Sequence, residues 1–271
     1  MDKIGLIAGY GKLPLIWAKQ AKKNNVKVHA FPVSEEYTIN LKDYSDTIDY
    51  VSLTQLGFLI EKLKEYELDK IIMLGKVNKK YFYEKDNFDQ RIIKIFQTSP
   101  NLEDNSILKK LVAEFKKEGI EVVKQSLFLD DLLIKAGQFN NVKPDKMLIE
   151  DMKYAFKKAK EVANVDIGQT VLTKNKAVVA VEALEGTDQA IKRTGQLVNE
   201  GAVMAKVSKK GHDFRFDIPT IGLDTIENLI SINAAGLVLE SSSILVLDRA
   251  KIKKMADEAN LSIIALSLKE V

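Results

Sequence analysis

The sequence contains no cysteine, which excludes a disulfide framework, a thiolate zinc site and a cysteine nucleophile. A reducing cytosol is compatible with that composition. Histidine is nearly absent, with only His29 and His212, and there is a single tryptophan, Trp17. No window approaches the roughly 20 uninterrupted apolar residues of a membrane span. The start, Met1-Asp2-Lys3-Ile4, runs straight into an apolar segment, without the apolar core of a secretory signal. The expected location is therefore the cytoplasm, with peripheral contact at the inner-membrane surface left open. Charge of one sign is also lacking. Lys and Arg total 41 against 38 Asp and Glu, a net charge of +3 with no basic block. That excess is too small to argue for nucleic acid, and most lysines read as a solvated surface.

What is present is a globular pattern. The chain has 271 residues, 46% of them hydrophobic, enough for two ordinary domains. Residues 3–8 are an apolar run ending in Gly9-Tyr10-Gly11, followed by helical spacing through Leu13, Ile16, Ala18 and Ala21 and a stop at Lys22-Lys23-Asn24-Asn25. A second strand is predicted over 26–33, a short one over 48–53, a helix over 55–66 and a buried strand over 70–74. Helices follow over about 89–97 and 105–117, then a strand over 120–124. This order opens a Rossmann-like parallel sheet, read as domain 1–132. Residues 137–144 are polar and rich in turn formers, the best linker candidate.

The grammar then changes. After a helix over 146–163, strands are predicted over 170–172 and 177–183 about a hairpin turn at 173–176, and again over 202–207 and 213–218. A helix over 225–235, a strand pair at 237–240 and 244–247, a helix over 251–259 and a closing strand over 261–266 complete it. Residues 133–271 thus read as a mixed α/β domain carrying the acidic motifs.

Three constellations could carry chemistry. Gly9-Tyr10-Gly11-Lys12-Leu13-Pro14 joins a strand to a helix whose positive N-terminus suits an anion. The third glycine of a dinucleotide fingerprint is missing, with Pro14 in its place. No acidic residue ends the second strand, which reads His29-Ala30-Phe31-Pro32, so ordinary NAD binding is disfavoured. A tight turn with no ligand is the bland alternative. Gly75-Lys76-Val77 ends another strand. Lys76 could reach a phosphate as a point charge or be an exposed loop lysine. The acidic cluster comprises residues 166–169, 182–188 and 213–220. On a strand, Asp213, Arg215 and Asp217 would share one face, Phe214 and Phe216 the other. Pro219 and Gly222 end that run sharply, so Asp217 would lie at a strand end. Carboxylates there, near Lys and Arg, suit magnesium-assisted phosphoryl hydrolysis, although a half-buried edge strand gives the same pattern.

Glu185-Gly186-Thr187-Asp188 reads as a loop opening a helix, with Thr187 as its cap and Lys192 and Arg193 in the turns beyond. Lys206, among apolar neighbours, either points to solvent or serves the site. The two histidines fall in different predicted domains, which argues against a histidine metal site. Trp17 reads as core, and Ser241-Ser242-Ser243 as a turn.

Together these motifs resemble the UDP-2,3-diacylglucosamine diphosphatases of lipid A biosynthesis, the type distinct from the calcineurin-like metallophosphoesterases. The resemblance rests on residues 5–14, 75–77, 166–169, 180–188 and 215–222, in order along nearly the whole chain. It implies two domains closing around a lipid-linked uridine nucleotide, with an apolar groove for the acyl chains. It also implies a magnesium-dependent attack of water that gives UMP and 2,3-diacylglucosamine 1-phosphate. The family's essential aspartate matches Asp217. On this reading Asp217 is catalytic, Asp213, Asp188 and Glu185 are supporting carboxylates, and Asp217 and Asp188 hold Mg2+. Gly9, Tyr10, Gly11, Lys76, Gln169, Thr187, Lys206 and Arg215 are the expected phosphate and nucleotide contacts. His212 departs from a family glutamine. Residues 98–106 match loosely, with Asp104 as the counterpart of a family aspartate. A homodimer is left open. A non-catalytic carrier or sensor of a sugar nucleotide or lipid is the alternative; it would need no essential carboxylate.

Overall fold

The computed structural model describes residues 2–34, 41–77, 88–98 and 104–270. The chain divides into two compact units, Met1–Leu129 with Phe214–Phe216, and Asp130–Asp213 with Asp217–Val271. The sequence reading places its single boundary at 132/133.

The first unit is built on β1 (Lys3–Ala8), α1 (Leu13–Lys23), β2 (Lys27–Pro32), β3 (Thr47–Ile48), α2 (Leu56–Glu65), β4 (Lys70–Leu74), α3 (Gln90–Thr98), α4 (Asp104–Lys117) and β5 (Glu121–Val122). Among the described residues its sheet is five-stranded and all parallel, in the order β3-β2-β1-β4-β5. Parallel sheets are covered on both faces, so β1 reads as a nearly continuous apolar run, and all of it after Lys3 is buried. The strands expected over 48–53 and 120–124 are shorter than their apolar patterns, pairing only at Thr47–Ile48 and Glu121–Val122. Trp17 is fully buried, as read from its helical spacing. The segment Phe214–Phe216 belongs to this unit. The Gln125 N–H donates to the Phe214 carbonyl at 2.7 Å, and Phe216 is buried with Phe31, Leu59 and Ile71. That overturns the strand expected over 213–218, where the backbone forms turns.

The second unit contains β6 (Gly137–Gln138), α5 (Lys146–Asn164), β7 (Thr170–Lys174), β8 (Ala177–Val181), α6 (Thr187–Leu197), β9 (Val203–Lys206), β10 (Thr220–Ile221), α7 (Leu223–Ser231), β11 (Gly236–Glu240), β12 (Leu245–Val246), α8 (Arg249–Glu258) and β13 (Ser262–Leu266). Among the described residues the main sheet is six-stranded, in the order β6-β13-β11-β9-β7-β8. β9, β11 and β13 run parallel, while β6, β7 and β8 pair antiparallel. Side chains alternate across a sheet, and both faces are covered. Val203, Ala205, Val238 and Ile264 pack under α5 with Met152, Ala155 and Phe156. Met204, Leu237, Leu239 and Ile263 face the opposite layer with Ile191, Leu229 and Ile252 from α6, α7 and α8.

The hairpin between β7 and β8 turns at Asn175 (φ 51°) and Lys176 (φ 59°), the doubly left-handed turn that matches strand twist. The Asp151 carboxylate fixes it, accepting from both turn N–H groups at 2.8 and 2.9 Å and from Thr173 Oγ1 at 3.1 Å. Two expectations fail. Residues 137–144 are no linker: β6 pairs with β13, and the buried Asn140 amide donates to the Leu261 carbonyl at 2.9 Å. β12 pairs in parallel with β10, not with β11, although Ser241–Ser243 do form a turn.

Candidate active site

In the first unit the two glycine loops leave the C-terminal ends of β1 and β4. The strand order reverses between these neighbours, the point where open α/β sheets receive ligands. The loops are fused. The Tyr10 N–H donates to the Lys76 carbonyl at 2.7 Å, the Lys76 N–H to the Tyr10 carbonyl at 2.8 Å, and the Gly9 N–H to the Leu74 carbonyl at 2.8 Å. A Cβ on Gly9 would overlap the Lys76 carbonyl oxygen. Gly75 has φ 91°, and a Cβ there would come 2.7 Å from the Gly9 carbonyl. Both glycines are therefore explained by close backbone approach, and the Gly9 and Tyr10 N–H groups already have carbonyl partners. Gly11, at φ 110°, has open space where a side chain would stand. Pro14 lies in the first turn of α1, where its lack of an N–H costs nothing. Tyr10 and Lys76 are exposed.

The second unit gathers side chains instead. Asp217 has φ 56°, a left-handed conformation that short polar residues tolerate best. This turn leaves Asp217 exposed between buried Phe216 and Ile218. Gln169 Nε2 donates to Asp217 Oδ2 at 3.3 Å. The expected alternation of Asp213, Arg215 and Asp217 on one strand face does not occur, because the segment is turned rather than extended. The chain leading into Asp213 is held at several points. The Ser208 N–H and Oγ donate to Glu240 Oε2 at 2.7 and 2.8 Å, and Lys160 Nζ lies 2.9 Å from the same carboxylate. Lys209 forms an ion pair with Asp166 at 3.0 Å. Burial pushes the His212 imidazole below its ordinary value, while the Asp217 charge acts the other way. His212, set aside as a metal ligand in the sequence, thus lies against the Asp217 segment.

Behind Gln169 runs a row across three adjacent strands. Lys206 pairs with Thr170 in the β9–β7 register, and the Glu182 N–H donates to the Thr170 carbonyl at 2.9 Å. By alternation Lys206 follows Met204, Thr170 precedes Leu172 and Glu182 follows Ala180, all on the face covered by α6. Lys206 is 7% exposed, so neither the solvent-facing reading nor an open phosphate contact describes it. Its Nζ donates to Thr187 Oγ1 at 2.8 Å and to Thr170 Oγ1 at 3.3 Å, and lies 3.8 Å from Glu182 Oε2. Thr187 Oγ1 in turn donates to Glu182 Oε1 at 2.7 Å. Burial disfavours the charged form of Glu182, yet Lys206, the hydroxyls of Thr170 and Thr187 and the Gln169 N–H together hold its carboxyl below the ordinary value.

Thr187 is the first residue of α6 and not its cap. Gly186, at φ 81°, holds the cap position, and the Thr187 hydroxyl is engaged by Glu182 and Lys206. In the same turn Asp188 Oδ1 accepts from Asn228 Nδ2 at 3.1 Å. Glu185 is paired with Arg193 at 2.8 Å. Arg215 and Asp213 are half-buried. The stretch around Asp104 falls largely outside the described residues, and its side chain is not described. Sequence reasoning missed Glu182 as a site residue. Its signal was strand parity with Ala180, next to Thr170 and Lys206.

Among the described residues no three His, Asp or Glu side chains converge as a preformed metal cage. Magnesium is commonly held by only one or two carboxylates plus substrate phosphates and water.

Comparison with known proteins places this chain in a family. UDP-2,3-diacylglucosamine pyrophosphatase LpxI of Caulobacter vibrioides is 28% identical over 286 residues, covering 100% of this chain and 99% of that protein. Solved structures align only loosely. Glycinamide-RNase-transformylase T from Mycobacterium tuberculosis gives a TM-score of 0.24 at 14% identity over 68% of this chain. Phosphoribosylglycinamide synthetase from Anaerococcus prevotii gives 0.22 at 18% over 73%. The alignments span 44% and 43% of those two chains, less than half of each, and likenesses this weak carry no argument. Residues 3–132 match the LpxI N-terminal domain and residues 135–264 the LpxI C-terminal domain, so this chain belongs to the LpxI family.

Proposed function

We propose that this protein hydrolyses the diphosphate of UDP-2,3-diacylglucosamine to UMP and 2,3-diacylglucosamine 1-phosphate, a step of lipid A biosynthesis. The observation that carries the reading is the exposed Asp217 carboxylate, set by a left-handed turn and tethered to Gln169, in a chain of the LpxI family. Water adds to one phosphorus, the bridging P–O bond breaks, and the departing phosphate takes the bond's electron pair. Asp217 orients the attacking water and accepts its proton. Asp188 and Glu185 support it as further carboxylates, and the half-buried Asp213 adds negative charge beside His212. Mg2+, held by Asp217 and Asp188, would neutralise charge developing on the diphosphate oxygens.

Gly11 and the start of α1 offer backbone to a phosphate, with Gly9 and Tyr10 shaping the loop. Lys76 and Arg215 supply positive charge, and Gln169 and Thr187 line the approach to Asp217. Lys206 contributes its charge from behind the first turn of α6. Among the described residues no helix is long and apolar enough to cross a membrane. We place the protein in the cytoplasm, meeting its lipid substrate at the inner-membrane surface. The test is incubation with UDP-2,3-diacylglucosamine and magnesium, following UMP and the lipid monophosphate by mass spectrometry with and without EDTA. Release of both products that stops with EDTA supports the reading. Tight binding of the lipid nucleotide without UMP release would favour the non-catalytic carrier.

A further inference from the structure

We propose that Glu182 is a positioning residue for this reaction, tying the first turn of α6 to the strand end that carries Gln169. The inference rests on the function proposed above.

Three connections meet at this side chain. Through Oε1 it accepts from the Thr187 hydroxyl at 2.7 Å, so the residue just before Asp188 is fixed. Through Oε2 it faces the Lys206 ammonium at 3.8 Å, and that ammonium donates to the same Thr187 hydroxyl at 2.8 Å. Thr187 Oγ1 therefore gives its one proton to Glu182 and receives one from Lys206, which fixes its rotamer from both sides. The third connection is backbone. The Glu182 N–H donates to the Thr170 carbonyl at 2.9 Å, and a Cβ on Gly168 would overlap the Glu182 carbonyl oxygen. Residues 168–170 are thereby pinned against residue 182, and Gln169 projects from that pinned segment to Asp217. One residue thus links the turn bearing Asp188 with the partner of Asp217.

Stability alone gives a weak reason for the arrangement. Burying an ion pair exacts a desolvation penalty that its attraction often only balances, and an apolar row could fill the same strand ends. A side chain that holds reactive groups in place should act on turnover more than on ground-state binding.

The experiment compares wild-type protein with Glu182→Gln, Thr187→Val and the double variant Glu182→Gln/Lys206→Met, measuring kcat and KM for UMP release and the urea midpoint of each. Glu182→Gln should lower kcat about tenfold or more with KM changed less than about threefold. Thr187→Val keeps the charge pair but removes the hydroxyl between its members, so it should lower the midpoint only modestly and lose kcat several-fold while still folded. The double variant removes the buried ammonium along with the carboxylate, so its midpoint should recover toward wild type while kcat stays low. If Glu182→Gln proves too unstable to assay, the other two variants decide. Wild-type kcat in Thr187→Val, or kcat that returns with the midpoint in the double variant, would make the row purely structural and overturn the inference. Absence of UMP release by the wild-type protein would instead remove the functional reading, and this inference with it.

Discussion

The two units solve the end of a strand in opposite ways. In the first, glycines at 9 and 75 let the loops after β1 and β4 approach until their backbones bond to each other. In the second, the corresponding positions carry long polar side chains, and Lys206, Thr170, Glu182 and Thr187 interlock beside Gln169 and Asp217. Glycine motifs in the sequence suggested that the first unit would grip phosphate with backbone N–H groups. The structure shows Gly9 and Tyr10 bonding to carbonyls of their own unit. What remains for a ligand there is the open side of Gly11 and the exposed Tyr10 and Lys76. The candidate carboxylates, with defined partners, lie in the second unit. A glycine-rich loop is evidence of close approach, and what approaches can be another loop.

That contrast can be broken most severely at Gly9. Gly9→Ala drives a methyl group into the Lys76 carbonyl, where backbone has no freedom to yield, and should cost about 3 kcal/mol, the upper end for an inserted methyl group. Trp17 is the only tryptophan and is fully buried in the first unit, so its fluorescence during urea unfolding reads this loss directly. An unchanged midpoint would mean that the loops are not fused as described.

In the second unit the matching probe is Asp151, which holds the hairpin at Asn175 and Lys176. Asp151→Ala should destabilise by about 1–2 kcal/mol, since the two turn N–H groups can still reach water. Hydrogen exchange should speed up across residues 170–181. The smallest effect concerns acid. Hydrogen bonds from Lys64 and Arg91 pull the Glu118 carboxyl down to about 2. A carboxylate depressed in the folded state stabilises above its ordinary value, and that contribution fades as pH falls toward about 2. Glu118→Gln should therefore be slightly less stable than wild type at neutral pH, with the difference shrinking as pH falls toward about 2, so that its stability varies less with acid.

Much of this was legible in the sequence for physical reasons. Residues 3–8 had to be a doubly covered strand because they are apolar at both parities, and Trp17 sits at helical spacing with Leu13 and Ala21. The hairpin at 173–176 announced itself through Asn175 between apolar runs. Residues 213–218 misled because Asp-Phe-Arg-Phe-Asp alternates like a strand. In the folded chain Phe216 is buried in the first unit's core while Asp217 turns left-handed, and periodicity cannot report a sign change in φ. The same limit hid the true place of 137–144, where Asn140 is a buried structural donor. Glu182 was visible as part of a motif. Its role emerged only from register, which sets it beside Thr170 and Lys206.

The account stands on Asp217, and UMP release by Asp217→Asn tests it most directly. Because the side chain is exposed, the substitution should change the unfolding midpoint by no more than about 0.5 kcal/mol. Under saturating lipid nucleotide and magnesium, the rate should fall by about 10²–10⁴-fold, the range for loss of a positioned general base. A folded Asp217→Asn protein releasing UMP at the wild-type rate would contradict the assignment.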